Sequence, residues 1–150
     1  MIKGGLTIFD VKDILQPGLT ATIKKTVEID DTVGNMNIHL NQLLSTPACV
    51  QAIVGACIKA VDHFLPEGYI TVGKSIEVIH EATSMLGVTV EFKATLTSIE
   101  GNRLFFEITA SDAIGVTLTA RHERVIVNHM ALMDRAIERV NQLNKIREMP

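Results

Sequence analysis

Between Ala48 and Val61 only Gln51 and Lys59 are strongly polar, so apolar positions run almost all the way round a helix instead of along one stripe. A helix that is apolar on every side is a buried helix. It is predicted over Thr46 to Phe64. Ser45 or Thr46 can accept the N–H groups of the first turn, Pro47 stands where a missing N–H costs nothing, and Pro66-Glu67-Gly68 ends the element. The stretch falls short of a membrane span, which needs roughly 20 consecutive apolar residues. Ala48, Ala52, Gly55, Ala56 and Ala60 let a neighbouring backbone approach closely.

The rest of the chain alternates with a period of two, the mark of half-buried strands. From Leu19 to Ile29 the odd positions Leu19, Ala21, Ile23, Val27 and Ile29 are apolar, with Lys25 the exception. After the helix, Ile70, Val72, Ile76, Val78 and His80 are read onto one face of a strand over Tyr69–His80, interrupted by Lys74. Val88, Val90, Phe92, Ala94 and Leu96 mark the next strand, and Glu100-Gly101-Asn102 a hairpin turn. Leu104, Phe106, Ile108 and Ala110 form the return strand, followed by one with Val116, Leu118 and Ala120 on one face. Four consecutive antiparallel strands in a meander are therefore expected. Val11 to Gln16 fits a short strand or one helical turn, and Asp30 to Asn41, rich in turn formers, reads as a loop leading into the helix.

One strand, a buried helix and an antiparallel meander make an α+β layout in which a curved sheet wraps a long central helix, the arrangement of the hotdog fold. The core is expected over residues 19–127 of a single domain. Beyond it, Met133, Ala136, Ile137, Val140, Leu143 and Ile146 keep a three-four spacing, predicting an extra C-terminal amphipathic helix over about 130–147, packed on the body or on a second subunit. A curved sheet leaves edges open, and a second copy is the obvious cover, so a homodimer or higher homo-oligomer is expected.

Composition narrows the partners. A formal net charge of −3, from 14 basic and 17 acidic residues well mixed along the chain, gives no electrostatic footprint for nucleic acid or an anionic membrane. Cys49 and Cys57 are eight residues apart on the helix, about 12 Å of rise, too far for a disulfide. They read as buried packing thiols. With no leader pattern at Met1 to Leu6, a reduced, cytoplasmic protein is expected.

No metal-ligand spacing, phosphate loop or Ser-His-Asp signature stands out, and no cofactor is expected. The candidates for chemistry are Thr46, His80, His122 and Arg124, with Gly73 as a backbone contributor. Parity turns His80 toward the helix, where it is either a satisfied core residue or a base. Thr46 is either an N-cap or a hydroxyl in a cleft beside His80, and the helix N-terminus suits a developing oxyanion. Arg124 is expected to pair with a carboxylate nearby.

Ser45-Thr46-Pro47 opening the helix, Ala56-Cys57 within it, Gly73, Val78-Ile79-His80-Glu81-Ala82, Gly87-Val88-Thr89-Val90, Glu100 to Leu104, and Arg121-His122-Glu123-Arg124-Val125 together resemble the fluoroacetyl-CoA thioesterase-like branch of hotdog proteins, over residues 19–127. The resemblance implies hydrolysis of an acyl-CoA thioester, with coenzyme A entering as part of the substrate. It implies Thr46 and His80 as catalytic residues, Arg124 in the polar network of the site, and the Gly73 amide near the thioester. The family's helix Glu falls on Val54, which can neither orient a hydroxyl nor accept a proton. Glu81 adjoins His80 but is expected to face away in a regular strand. Asn35 and Asn37 stand where an aromatic lid would suit a small apolar acyl group, so they are expected to bind a more polar one. The alternative from another class is a non-catalytic acyl-CoA or small-carboxylate binding module that lost its carboxylate at Val54.

Overall fold

The computed structural model describes residues 9–150, so the opening segment Met1 to Leu6, on which the cytoplasmic expectation leaned, lies outside the described residues. The chain forms α1 (Val11–Ile14), β1 (Thr20–Thr26), α2 (Thr46–Val61), β2 (Tyr69–His80), β3 (Thr89–Glu100), β4 (Arg103–Ser111), β5 (Val116–Asn128) and α3 (His129–Arg147). Short 3-10 turns at Ile29–Asp31, Gly34–Met36 and Ile38–Leu40 carry the chain from β1 to α2, and a fourth at Asp62–Phe64 completes the helix predicted as far as Phe64. The open reading at Val11 resolves to a helical turn capped by the Asp10 carboxylate, which accepts the Lys12 N–H at 3.0 Å. It buries Val11 and Leu15.

The five strands form one curled antiparallel sheet in the order β1-β3-β4-β5-β2, wrapped around α2. The expected four-strand meander is therefore shorter by one: β3, β4 and β5 follow one another, while β2 pairs with β5 and forms an edge. Hydrogen bonds explain the detour. After His80 the chain is drawn to the opposite edge, where Gly87 N–H reaches the Val27 carbonyl and Val27 N–H the Val88 carbonyl, each at 2.9 Å. β3 thus starts beside β1, with Thr89 opposite Thr26.

α2 packs mainly on β1 and β3. Cys49, Ala52, Ile53, Ala56, Cys57, Ala60 and Val61 are buried, facing Val90, Phe92, Ala94 and Leu96 of β3 and Leu104, Phe106 and Ile108 of β4 in one core. Small residues set the distance: a Cβ on Gly55 would come within 2.9 Å of Ile23 Cδ1. The two thiols behave as core groups, free and buried, and burial raises their pKa to about 11 at Cys49 and about 12 at Cys57.

Three irregularities in register change which residues face the helix. In β2 the pairing shifts between Gly73 and Ser75, so Lys74 is an extra residue and parity reverses across it. Thr71, 4 % exposed, points inward before the bulge, and Val78 and His80 share the inner face after it. Ile70 and Val72 therefore lie on the opposite face from His80, not on its own. β3 carries a second shift between Leu96 and Ser98. In β5, Ala110 opposes Leu118 while Ser111 opposes Val116, which leaves Thr117 as the extra residue. Val116 is consequently exposed and Thr117 buried, the reverse of strict alternation.

α3 starts from a cap in which the Asn128 side chain accepts the Ala131 N–H at 3.1 Å. None of its residues is buried, and Met133, Ile137, Val140, Leu143 and Ile146 are each at least half exposed. The expected apolar stripe is present, but it does not pack on the body. Among the described residues no helix is long and apolar enough to cross a membrane.

Candidate active site

The N-terminus of α2 separates two roles that the sequence left entangled. Ser45 is the cap: its hydroxyl accepts the Ala48 N–H at 3.2 Å. Thr46, the first helical residue, is thereby free to point elsewhere, and its Oγ1 lies 3.0 Å from Nε2 of His80. That distance is within reach for proton transfer. With the imidazole proton on Nδ1, Nε2 accepts the threonine hydroxyl, and the pair presents to the cavity a hydroxyl polarised by a base. Both side chains are exposed, so the pair opens to solvent instead of being locked in the core.

The pair stands in the wall of a cavity of about 370 Å³, lined by Val33, Leu40, Leu43, Leu44, Thr46, Cys49, His80, Glu81, Ala82, Thr83, Ser84, Thr117 and Leu118. Three segments build it. The segment between β1 and α2 that carries the 3-10 turns supplies a cover of Val33, Leu40, Leu43 and Leu44. That cover is tied down by Leu44 N–H to the Ser84 carbonyl and Ser45 N–H to the Asp31 carbonyl, both at 2.8 Å, and by an isolated bridge between Leu43 and Met85. Asp31 in turn is anchored by Lys25 Nζ at 2.9 Å and the Glu28 N–H at 2.8 Å. Residues 81–84 form the second wall and the start of β5 the third.

Glu81 lines this cavity, contrary to the expectation that it faces away. The bulge at Thr117 is the reason. Both the Glu81 and the Ala82 N–H groups converge on the Thr117 carbonyl, at 2.8 and 3.0 Å, so strand alternation ends at His80. Glu81 thus stands in the same wall as Thr46 and His80. No feature of the Glu81 neighbourhood in the sequence announces this, because the bulge lies 36 positions away on another strand. Val54, where the family's helix Glu falls, is half-buried and does not line the cavity.

Asn35 and Asn37 are not brought to the cavity either. Asn35 is exposed, and Asn37 turns its Oδ1 back to the His39 N–H at 3.0 Å to cap its own turn. The expectation of a more polar acyl group rested on these two side chains and loses its footing, since the cover that does face the cavity is aliphatic.

Gly73 and Arg124 form a separate group within the chain. They are opposite each other across β2 and β5, and a Cβ on Gly73 would lie 3.7 Å from Arg124 Nη1 and 3.4 Å from His122 Cε1. Arg124, 4 % exposed, donates from Nε to Thr71 Oγ1 at 2.8 Å, from Nη2 to the Thr71 carbonyl at 2.7 Å and from Nη1 to His122 Nε2 at 3.1 Å. The Thr71 hydroxyl donates in turn to Asp62 Oδ1 at 2.6 Å. The expected local ion pair is therefore indirect: Asp62 reaches Arg124 through a hydroxyl, and the neighbouring Glu123, on the outer face, pairs instead with Arg103 at 2.8 and 3.1 Å. Burial lowers the Arg124 pKa, opposed by the charges of Asp62 and Cys57. Burial also lowers that of His122, opposed by the Ser75 carbonyl and assisted by Arg124. His122 Nδ1–H donates to Ser75 O at 2.7 Å, so Nε2 is left as the acceptor that Arg124 requires, and the imidazole is neutral.

Among the described residues no group of three or more His, Cys, Asp or Glu side chains could hold a metal ion.

The model of the family described as FlK, fluoroacetyl-CoA-specific thioesterase, matches residues 27–130. A fluoroacetyl-CoA thioesterase of Streptantibioticus cattleyicolor is 31% identical over 87 residues, which are 58% of this chain and 63% of that protein; the match thus spans less than two thirds of that relative's length. The crystal structure of a hot-dog-like protein from Thermanaerovibrio acidaminovorans superposes with a TM-score of 0.84 at 34% identity, covering 87% of this chain and 97% of the other. A mutant of the fluoroacetyl-CoA-specific thioesterase in complex with fluoroacetate and CoA gives a TM-score of 0.71 at 26% identity, covering 79% of this chain and 99% of the other.

Proposed function

The chain belongs to the fluoroacetyl-CoA-specific thioesterase family, and on that premise we propose that it hydrolyses the thioester of a small acyl-CoA at the Thr46–His80 pair. The observation that carries the proposal is the 3.0 Å contact between Thr46 Oγ1 and His80 Nε2 on the wall of a cavity at the N-terminus of α2. In this reading His80 takes a proton from the attacking water through the Thr46 hydroxyl, which passes its own proton to Nε2 as it accepts one from the water. The water oxygen adds to the thioester carbonyl, the C–S bond breaks as the imidazolium returns that proton to the leaving sulfur, and the products are a carboxylic acid and the CoA thiol. Thr46 holds the imidazole in register, and the amino end of α2 stabilises the negative charge that develops on the carbonyl oxygen. No bound cofactor enters the scheme; coenzyme A is part of the substrate.

A homodimer accounts for the separation of the Gly73–Arg124 group from the Thr46–His80 pair. β2 is an edge strand of 12 residues, and its stretch from Gly73 to His80 leaves Ile76 38% and Ile79 50% exposed. Such an edge is a template for pairing with another chain. Antiparallel pairing of two β2 strands about the middle of that stretch would set Gly73 of the partner subunit opposite His80, which gives the Gly73 amide the place near the thioester that the resemblance implies. A cytoplasmic location is part of the same proposal.

The test is thiol release from a panel of acyl-CoAs by the protein and by His80→Ala, with the signal of Cys49 and Cys57 subtracted. Hydrolysis that is lost in His80→Ala supports the enzyme. Absence of hydrolysis, with the same compounds still raising the melting temperature, would make the chain a binding module that kept the fold after the carboxylate was lost at Val54.

A further inference from the structure

Resting on the thioesterase reading of this same site, we infer that its acyl group is an uncharged aliphatic chain of about four to eight carbons. The argument is the division of the cavity wall. Its cover and floor are Val33, Leu40, Leu43, Leu44 and Leu118, side chains that offer dispersion contacts and no hydrogen bond. No lysine or arginine lines the cavity, and its one carboxylate, Glu81, would repel an acid at the far end of an acyl group. Beyond the Thr46–His80 pair, the neutral polar residues of the wall are Thr83, Ser84 and Thr117, which offer hydroxyls and no cation. A malonyl or succinyl group would lose its hydration there without gaining a cationic partner.

Size sets the scale of the chain that the wall can cover. At about 30 Å³ for a water-sized group, a volume of 370 Å³ holds about a dozen such groups. The thioester carbonyl, the sulfur and the first atoms of the pantetheine arm fill the mouth beside Thr46 and His80. What is left fits a chain of about four to eight carbons, and an acetyl group leaves most of the aliphatic wall without contact.

The experiment measures kcat/KM by thiol release for straight-chain acyl-CoAs of two to twelve carbons, with malonyl- and succinyl-CoA alongside. The expected profile rises about fourfold for each methylene buried, peaks between four and eight carbons, and leaves acetyl-, malonyl- and succinyl-CoA at least tenfold below the peak. Leu43→Phe should move the peak to shorter chains and Leu40→Ala, at a position already 42% exposed, to longer ones. A preference for acetyl-CoA or for either dicarboxylic substrate, or a profile unmoved by both variants, would overturn the inference. If no thioester is hydrolysed, the thioesterase reading has failed and the acyl cavity is tested alone with non-hydrolysable S-alkyl-CoA thioethers of the same lengths. Affinity that climbs with chain length to about eight carbons supports the cavity; affinity independent of length refutes it.

Discussion

Thr71→Val tests the buried polar chain that runs from Asp62 through Thr71 to Arg124. Valine matches threonine in shape, so the change opens no cavity and removes only the hydroxyl. Two contacts disappear, the 2.6 Å bond to Asp62 Oδ1 and the 2.8 Å bond from Arg124 Nε. Bonds to charged groups contribute roughly 1.5–3 kcal/mol each. The Asp62 side is discounted, because that residue is half-buried and keeps the Thr71 N–H at 3.2 Å. The Arg124 side is not, because that side chain is 4 % exposed and water cannot replace the acceptor. Allowing for the better burial of a methyl, the net loss is about 2–3 kcal/mol, which for a chain of this length is a fall in Tm of roughly 4–10 °C. Urea unfolding at fixed protein concentration measures it, with Thr71→Ser as the control that keeps the hydroxyl and loses only a methyl. A cost below about 0.5 kcal/mol for Thr71→Val, or a cost for Thr71→Ser as large as for Thr71→Val, would refute the reasoning, since packing and not the hydroxyl would then be responsible.

Two further predictions concern His122, which accepts from the buried Arg124, and Glu81, in the cavity wall. His122 is held neutral with its pKa below the ordinary 6.5; the unfolded chain therefore binds the extra proton first, and stability present above about pH 6.5 is lost as pH falls from there toward the folded value. His122→Gln should flatten that part of the stability-pH curve measured by urea midpoints from pH 8 to pH 5, and an unchanged slope would mean that other histidines produce it. Glu81→Gln should lower kcat about tenfold or more if the Glu81 carboxylate orients the water or His80, with the Tm unchanged because the side chain is exposed; full activity in the variant would leave Glu81 as a wall and nothing more.

The periodicity of the sequence is enough to place every long element, because burial on one side of a strand and on all sides of α2 writes a pattern that needs no tertiary information. What it misses shares one cause. The bulges at Lys74 and Thr117 each insert one residue, and a single inserted residue exchanges the faces of everything beyond it. Ile70 and Val72 therefore changed face relative to His80, Val116 came to the surface, and Glu81 entered the cavity. The position of β3 beside β1, and so away from β2, also depends on hydrogen bonds between segments 60 residues apart, Val27 with Gly87 and Val88, which no local pattern records. The contact between Thr46 and His80 was legible for the opposite reason: cap chemistry fixed the start of α2, and the Lys74 bulge left His80 on the inner face that its spacing from Ile76 and Val78 predicts. Asn35 and Asn37 stand outside the cavity lining; asparagine serves turn formation as readily as ligand binding, and Asn37 here caps a turn.

The most direct test of the account is the release of free CoA from short aliphatic acyl-CoAs, compared between the protein, His80→Ala and Thr46→Val. The account predicts turnover by the protein, loss of at least a hundredfold in His80→Ala and a smaller loss in Thr46→Val, in keeping with the contribution of a positioned base. Turnover that survives His80→Ala undiminished would contradict it, and the 3.0 Å contact between Thr46 and His80 would then be a fixture of the fold and not the site of the reaction.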